Sequence, residues 1–554
     1  MDSKSRASTQ ESGTPAPRHS GVASLLIATG IFLSRIAGLV RERVIATCFG
    51  TGLHADVFSA GLRLPNVVQN LLGEGTLSAS FIPVYSELLG QGRTREAGRV
   101  AGAMFALLLA VAGAISLLGI ALAPLLVAVF TPGFEGQRRE LMIMVVRILF
   151  PMTGTLVLSA WALGILNSHR QFFVPYFAPV LWNVAIIAAL LGFGGGQAGA
   201  DLDRLLRAAA WGALAGGLLQ FAFQLPWVLR LDREVRLNTG RGEPAFREAV
   251  RNAGPAILGR GVVQISAYAD LLLGSLLAIG AVSRLRYAQT LYVLPISLFA
   301  MSIAAAELPE LARERGGLAD VLRTRLVQAA RRVAFFIVPS LVAFLVLGPV
   351  LVAGLYQSGK FGPADVTIVW LTLVAYSLGM MASTSTRLYQ SAFYALRDTR
   401  TPARIAGLRV LVSAVAGAIL MLQFEPITVR GWTIPGGFWS QLRIDGLPLG
   451  PVGLALGAAV GAWLEWRLLR RVLTARIGEV GIGGPTLARL FGAALLAAAA
   501  AFALGLALHR LPRLPAAGLV VALFGAGYLS LTHLLGLEES RRFVDAALRR
   551  LRRR

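Results

Sequence analysis

The chain has 554 residues, of which 55% are hydrophobic and 15% charged, and its formal net charge is +24. A soluble protein of this size needs far more charge to cover its surface, so the composition points to many spans of roughly 20 apolar residues. The positive excess is nearly all arginine, the only lysines being Lys4 and Lys360; in so apolar a chain this fits basic cytoplasmic loops and argues against a nucleic-acid surface.

Residues 1–20 are polar and rich in Ser, Thr and Pro. They read as a disordered tail and not as a signal peptide, because no short apolar core and cleavage site follow the charged start. About 14 apolar spans follow, near 22–48, 54–73, 98–128, 140–167, 174–195, 204–230, 250–279, 282–312, 326–356, 364–396, 402–423, 449–472, 486–508 and 515–536. Residues 76–90, between the second and third spans, read as a short amphipathic helix. The odd-to-even turns are weakly basic (CFGTGLHAD, FGGGQAGAD, AIGAVS, QSGKFGPAD). The even-to-odd connections are rich in arginine: Arg230, Arg233, Arg236, Arg241, Arg247 and Arg251 in one, Arg313, Arg315, Arg323 and Arg325 in another. The positive-inside rule then puts the basic set, and with it both termini, in the cytoplasm. The long outer connection 424–448 carries Trp432 and Trp439, which suit a membrane interface. The tail 538–554 is a basic amphipathic segment suited to anionic lipid.

Charges inside the first two spans are the informative feature. An ionisable group at membrane depth costs about 2.5–3.5 kcal/mol on insertion scales, so it is expected to face a polar cavity or a partner charge. Arg35, Arg41, Glu42 and Arg43 fall in the first span, and Asp56 and Arg63 in the second. Arginine stays charged and grips phosphate bidentately, so an excess of it suits an anion. Arg35 and Arg41 are six residues apart and share a face only if the helix bends at Gly38, whereas Arg35 and Glu42 share a face directly. Mutual pairing that merely holds the bundle is the structural alternative. Asp56 opens the second span, either as a helix cap or as half of a gating salt bridge. Pro65 should kink that span, with Asn66 satisfying a freed backbone group and Arg63 turned inward. In the second half, Asp270 is an intramembrane acid and so a functional candidate; the structural alternative is a salt bridge to Arg286 across the turn at Gly280. Arg409 and Glu465 read as a structural pair.

The order SR-x-x-G-x-x-R-E, FG-x-G-x-x-x-D-x-F, R-x-PN and EG-x-x-x-x-x-F-x-P is carried by Ser34, Arg35, Gly38, Arg41, Glu42, Phe49, Gly50, Gly52, Asp56, Phe58, Arg63, Pro65, Asn66, Glu74, Gly75, Phe81 and Pro83. In these residues the chain resembles the MurJ (MviN) lipid II flippases of the multidrug/oligosaccharidyl-lipid/polysaccharide exporter superfamily. Later matches include FFVPYFAPVLWN, YQSGKFGPAD and FYALRDTRTP. The resemblance implies an all-α inner-membrane protein with two six-helix lobes, 21–232 and 244–475, around a cationic cavity, and two further helices in 484–537 that form a groove for a lipid tail. It implies lipid II, an undecaprenyl-pyrophosphate-linked disaccharide peptide, as the partner carried from the cytoplasmic to the outer leaflet by alternating access. The substrate residues it implies are Arg35, Arg41, Arg63 and Asn66, with gating by Glu42, Asp56 and, at the inner end, Glu74.

The chain departs from the family pattern at Gln69 and at Gln289-Thr290, where the well-known branch has an arginine and Asp-Arg. Arg286, one helical turn before Thr290, and Arg260 are the residues expected to restore positive charge. Asp270 is the candidate for coupling to sodium, protons or membrane potential. The single cysteine, Cys48, excludes an internal disulfide, and the five histidines are scattered, so no cofactor, metal centre or catalytic arrangement is expected. The reading is a transporter and not an enzyme, monomeric, in contact with membrane lipid and not nucleic acid. The alternatives are an exporter of another polyprenyl-pyrophosphate-linked glycan and a non-transporting membrane scaffold.

Overall fold

The computed structural model describes residues 20–194, 199–240, 242–300, 318–429, 431–508 and 510–541. The tail before residue 20, the basic run after residue 541, and Arg241, Arg313 and Arg315 lie outside the described residues. The first half is built from α1 (Ser20–Phe49), α2 (Leu53–Leu72), α3 (Glu74–Gly90), α4 (Thr94–Ala121), α5 (Ala123–Phe130), α6 (Gly136–Ser168), α7 (Phe173–Gly192) and α8 (Leu202–Leu231). The second half runs through α9 (Pro244–Ser275), α10 (Ala281–Pro295), α11 (Leu318–Val346), α12 (Gly348–Tyr356), α13 (Pro363–Leu378), α14 (Met380–Ala395), α15 (Arg400–Phe424) and α16 (Gly450–Ile477). The last two helices are α17 (Gly484–Ala507) and α18 (Arg513–Leu534).

Three predicted spans are broken into two helices. Pro124 and Pro349 sit at the start of α5 and α12. Proline lacks the N–H that would continue the preceding helix but suits the first turn of a new one. The third break, between α13 and α14, falls at Gly379. Among the described residues, ten helical segments are long and apolar enough to cross a membrane, α13 and α14 counting together as Pro363–Ala395. Helices α1, α2, α9 and α10 carry Arg35, Arg41, Glu42, Asp56, Arg63, Asp270, Arg284 and Arg286.

Each half packs mainly on itself. Helix α6 packs against α2, α4 and α8, and α7 against α1 and α8; in the second half α16 packs against α13, α14 and α15. Across the boundary between the halves α3 packs on the start of α9, and α2 meets α9 and α10. Helix α3 is amphipathic as expected: Leu77, Phe81, Tyr85 and Leu88 lie on one face and are buried. The Tyr85 hydroxyl donates to Asp232 Oδ2 at 2.9 Å and ties α3 to the end of α8. Helices α17 and α18 pack on α11 and α12 through Phe335, Val338, Leu490, Ala498 and Val520. The connection after α15 folds into two small antiparallel hairpins, Ile427–Val429 with Trp432–Ile434 and Arg443–Ile444 with Leu447–Pro448. Nothing in that loop's polar and aromatic pattern foretold strands. Trp432 and Phe438 are each 83% exposed there, so the aromatic side chains face outward from the hairpins.

Candidate functional site

Two polar layers lie between the halves. The first is at membrane depth. Arg41 is eight residues from the end of α1, which puts it about 12 Å below that end. Its guanidinium donates to Asn183 Oδ1 of α7 at 2.9 Å and to Glu42 Oε1 at 2.5 Å, and it lies 4.7 Å from the Trp182 ring centroid. The adjacent pair Trp182-Asn183 therefore fixes both the plane and the edge of the arginine. From the other half, Arg286 of α10 donates to the same Glu42 Oε1 at 2.7 Å. One carboxylate thus joins two guanidiniums and the two halves. Glu42 offsets one of the two positive charges, and one remains. The Arg41 and Arg286 side chains keep 12% and 14% exposure, so they border open space, while Glu42 is nearly closed off. Arg41 Nε and Glu42 Oε2 are buried with no hydrogen-bond partner.

A turn deeper, Arg63 of α2 donates to Gln289 Oε1 of α10 at 2.5 Å, and Gln289 donates onward to the Tyr376 hydroxyl of α13 at 2.8 Å. Asp270 of α9 lies close enough to Arg63 and Arg409 to feel both charges. Helix α2 continues through Pro65, whose carbonyl accepts from Thr153 of α6 at 3.4 Å.

The second layer closes one end of the molecule, the end that carries Gly50. Asp56 is fully buried. It accepts from Arg138 of α6 at 2.6 Å and from the backbone N–H groups of Gly280 and Ser283, each at 2.7 Å. Asp56 is therefore an N-terminal cap, but of α10 in the other half and not of its own helix. Beside it Thr51 donates to Asp365, Arg284 donates to Thr51 Oγ1 at 3.2 Å, and Tyr287 donates to the Gly50 carbonyl at 3.0 Å. The Lys360 N–H donates to the Thr47 carbonyl at 3.0 Å. Three turns carry this seam, with positive φ at Gly50 (61°), Gly280 (96°) and Gly359 (54°). A Cβ at any of them would strike backbone of the facing turn: the Lys360 carbonyl at 2.6 Å for Gly50, the Thr51 carbonyl for Gly280 and the Thr47 carbonyl for Gly359. Glu425, just past α15, accepts from the Ala278 N–H at 2.5 Å, and burial pushes its carboxyl up from the usual range.

Several expectations change. Arg286 pairs with Glu42 and not with Asp270. Glu42 reaches Arg41 and Arg286 instead of Arg35, because its carboxylate turns toward α10. Arg35 and Asn66 are half-buried and Glu74 exposed, and none has an ion-pair or hydrogen-bond partner among the described residues. The Arg260 side chain lies outside the described residues. Arg409 and Glu465 do pair, at 2.8 Å. Arg138, Arg284, Tyr287 and Tyr376 were missed. For Arg138 the signal was present: GQRRE puts a cation at the start of an otherwise apolar span. Among the described residues no group of His, Cys, Asp and Glu could hold a metal.

The family model described as lipid II flippase MurJ matches residues 45–429. A lipid II flippase MurJ of Burkholderia cenocepacia is 30% identical over 454 residues, covering 80% of this chain and 82% of the relative. A probable lipid II flippase MurJ of Vibrio cholerae is 28% identical over 497 residues, covering 83% and 93%. Among solved structures, a lipid II flippase MurJ in an inward closed conformation superposes with a TM-score of 0.70 at 21% identity, covering 92% of this chain and 98% of its own. An inward-facing transporter of the multidrug resistance MATE family, in the MOP superfamily, gives 0.61 at 17% identity, covering 82% and 99%. These two share the fold.

Proposed function

The chain belongs to the lipid II flippase MurJ family, bacterial multi-pass membrane transporters and not enzymes, and on that premise we propose that it carries lipid II from the cytoplasmic to the outer leaflet by alternating access. The observation that carries this reading is Glu42 bridging Arg41 and Arg286 between the halves, with one positive charge left over. A pyrophosphate bears more charge than one carboxylate and accepts from both guanidiniums at once, so it competes with Glu42 for the same donors. Arg35, with no protein partner among the described residues, adds to the attraction, and Arg63, hydrogen-bonded to a neutral glutamine, adds what nearby Asp270 leaves uncompensated.

With the basic connections inside, the Gly50 end faces out, and the layer around Asp56 closes the outer side. Glu74, exposed and unpaired among the described residues at the other end, fits an inner gate that is not engaged. The headgroup must bind one state more tightly than the other, since equal affinity shifts nothing. Displacing Glu42 from Arg286 removes the ion pair between α1 and α10, and α10 is the helix that Asp56 caps, so headgroup capture and the outer latch act on one element. Asp270 is the carboxylate we assign to coupling with sodium, protons or membrane potential; Asp270→Asn should retain lipid II binding and lose transport driven by that gradient.

Complementation of a flippase-depleted bacterium tests the reading. Wild type should restore growth, and Arg41→Ala should fail at equal membrane abundance. If the alanine variant grows like wild type, the substrate role of the Arg41–Glu42–Arg286 layer is wrong. If wild type fails while a lipid-linked glycan of another kind is exported, the substrate is that glycan, which the Gln289-Thr290 departure allows.

A further inference from the structure

On the side of α7 away from α1, α7 and α8 enclose a cleft of about 460 Å³ on the outer surface of the first half. A small-residue stripe brings the two helices together: Gly212 backs onto Ala189 and Gly216 onto Trp182. Trp182 Nε1 also donates to the Ala213 carbonyl at 3.0 Å. Toward the Gly50 end, where α7 stops and α8 begins, Arg204, Arg207 and Trp211 form one wall and Phe193 the other. The spacing of three and four residues puts these α8 side chains on one face. Trp211 is 59% exposed, and with Leu218 and Leu219 further along it marks the face of α8 that meets lipid.

The charges on that face have no counterpart in the protein. At the same end Arg138 is paired with Asp56 and Arg284 with Asp365. Arg204 meets only the Phe193 ring, 5.7 Å from its centroid, and Arg207 has no hydrogen-bond or ion-pair partner among the described residues. The nearby acids are engaged elsewhere: Asp203 with His54 at 2.6 Å and with Gln137, and Asp201 as the cap of α8. Arg204 and Arg207 lie two and five residues into α8, about 3 and 8 Å from its start. On a lipid-facing helix that is the depth of the phosphate groups, and two adjacent guanidiniums there match one phosphodiester.

We propose that this cleft binds one anionic phospholipid of the leaflet at the Gly50 end. Arg204 and Arg207 hold its phosphodiester, Trp211 and Phe193 flank the headgroup, and an acyl chain lies along Ala185, Ala189 and Ala215. The site stands whether or not the chain flips lipid II.

The test is native mass spectrometry of the full chain in detergent, titrated with dioleoylphosphatidylglycerol or with dioleoylphosphatidylcholine, which has the same tails and no net charge. Wild type should hold one phosphatidylglycerol about tenfold more tightly than phosphatidylcholine, the ratio expected of one bidentate charged contact. Arg204→Gln/Arg207→Gln should lose that one lipid, and Arg204→Lys/Arg207→Lys should keep most of it. Ala215→Leu fills the groove with both arginines intact and should also weaken it. Melting temperatures equal to wild type confirm that each variant is folded. Equal binding of the two lipids, or a preference untouched by the glutamine pair and by Ala215→Leu, overturns the proposal. Displacement by millimolar inorganic phosphate overturns it as well, since it would mean an anion site with no lipid specificity.

Discussion

Glu42 has two cationic partners, and that number decides what its loss does. Removing it leaves Arg41 and Arg286 facing each other in a low-dielectric layer with nothing between them. Breaking a buried pair by deleting one partner costs about 3–5 kcal/mol, because an uncompensated charge is left behind. Arg286→Ala is milder, since Glu42 keeps Arg41, which itself keeps Asn183. Thermal melting in detergent should therefore rank Glu42→Ala well below Arg286→Ala, and equal losses would mean the bridge is not shared. Asp398 gives a milder case, a half-buried carboxylate just before α15. The Thr401 backbone N–H and hydroxyl, with Arg476 beside them, hold its carboxyl at about 2. A carboxyl held low lends its stability above its unfolded value and loses it as pH falls through the folded value. The melting difference between wild type and Asp398→Ala should thus hold above about pH 5 and fade between about pH 4 and 2. The type of residue was legible at these positions, because an arginine or acid inside an apolar span stands out. Its partner was not: Arg286 is closer in sequence to Asp270 than to Glu42, and only the crossing of α1 and α10 reverses that choice.

At the scale of elements, the closed end depends on three turns whose glycines do different work from the helix glycines. Positive φ at Gly359 is strained for any side chain, and its added Cβ would also meet the Thr47 carbonyl of α1. The clash is with backbone, which a rotamer change cannot relieve. Gly359→Ala should therefore leave each half folded and hold the seam apart. Replacing Thr51 by cysteine in a chain whose Cys48 is serine gives a reporter inside the seam. It should resist an impermeant maleimide with Gly359 intact and label readily with Gly359→Ala; resistance in both would show that the turn yields without opening. The motifs FG-x-G and YQSGKFG were legible as turns, and their small residues read as tight corners. That the two corners lie against each other was not legible, since they are over 300 residues apart, and the small polar side chains that join them, Thr47 with Ser358 and Thr51 with Asp365, are common turn residues. The hairpins after α15 escaped for a related reason: each strand has only two or three residues, too short for a period-2 pattern to appear.

For the whole molecule, alternating access requires that the sealed end open in every cycle, and the seam offers a way to forbid it. Thr51 of the first half donates directly to Asp365 of the second, so their side chains are in contact across the boundary. Cysteines at both positions, again with Cys48 replaced, should form a disulfide under mild oxidation without distorting either half, because Asp365 otherwise serves only the first turn of α13 and its neighbour Arg284. The oxidised protein should melt no lower than the reduced one, as expected for a cross-link that constrains the unfolded chain. Transport in vesicles should stop on oxidation and return on reduction, while binding of the headgroup from the basic side survives. That split separates a moving latch from a static brace. If the locked protein still transports, the Gly50 end does not open during the cycle, and the substrate leaves by another path. If oxidation abolishes binding as well as transport, the Asp56 seam and the Arg41–Glu42–Arg286 layer form one rigid unit, and α10 is not the element that couples them.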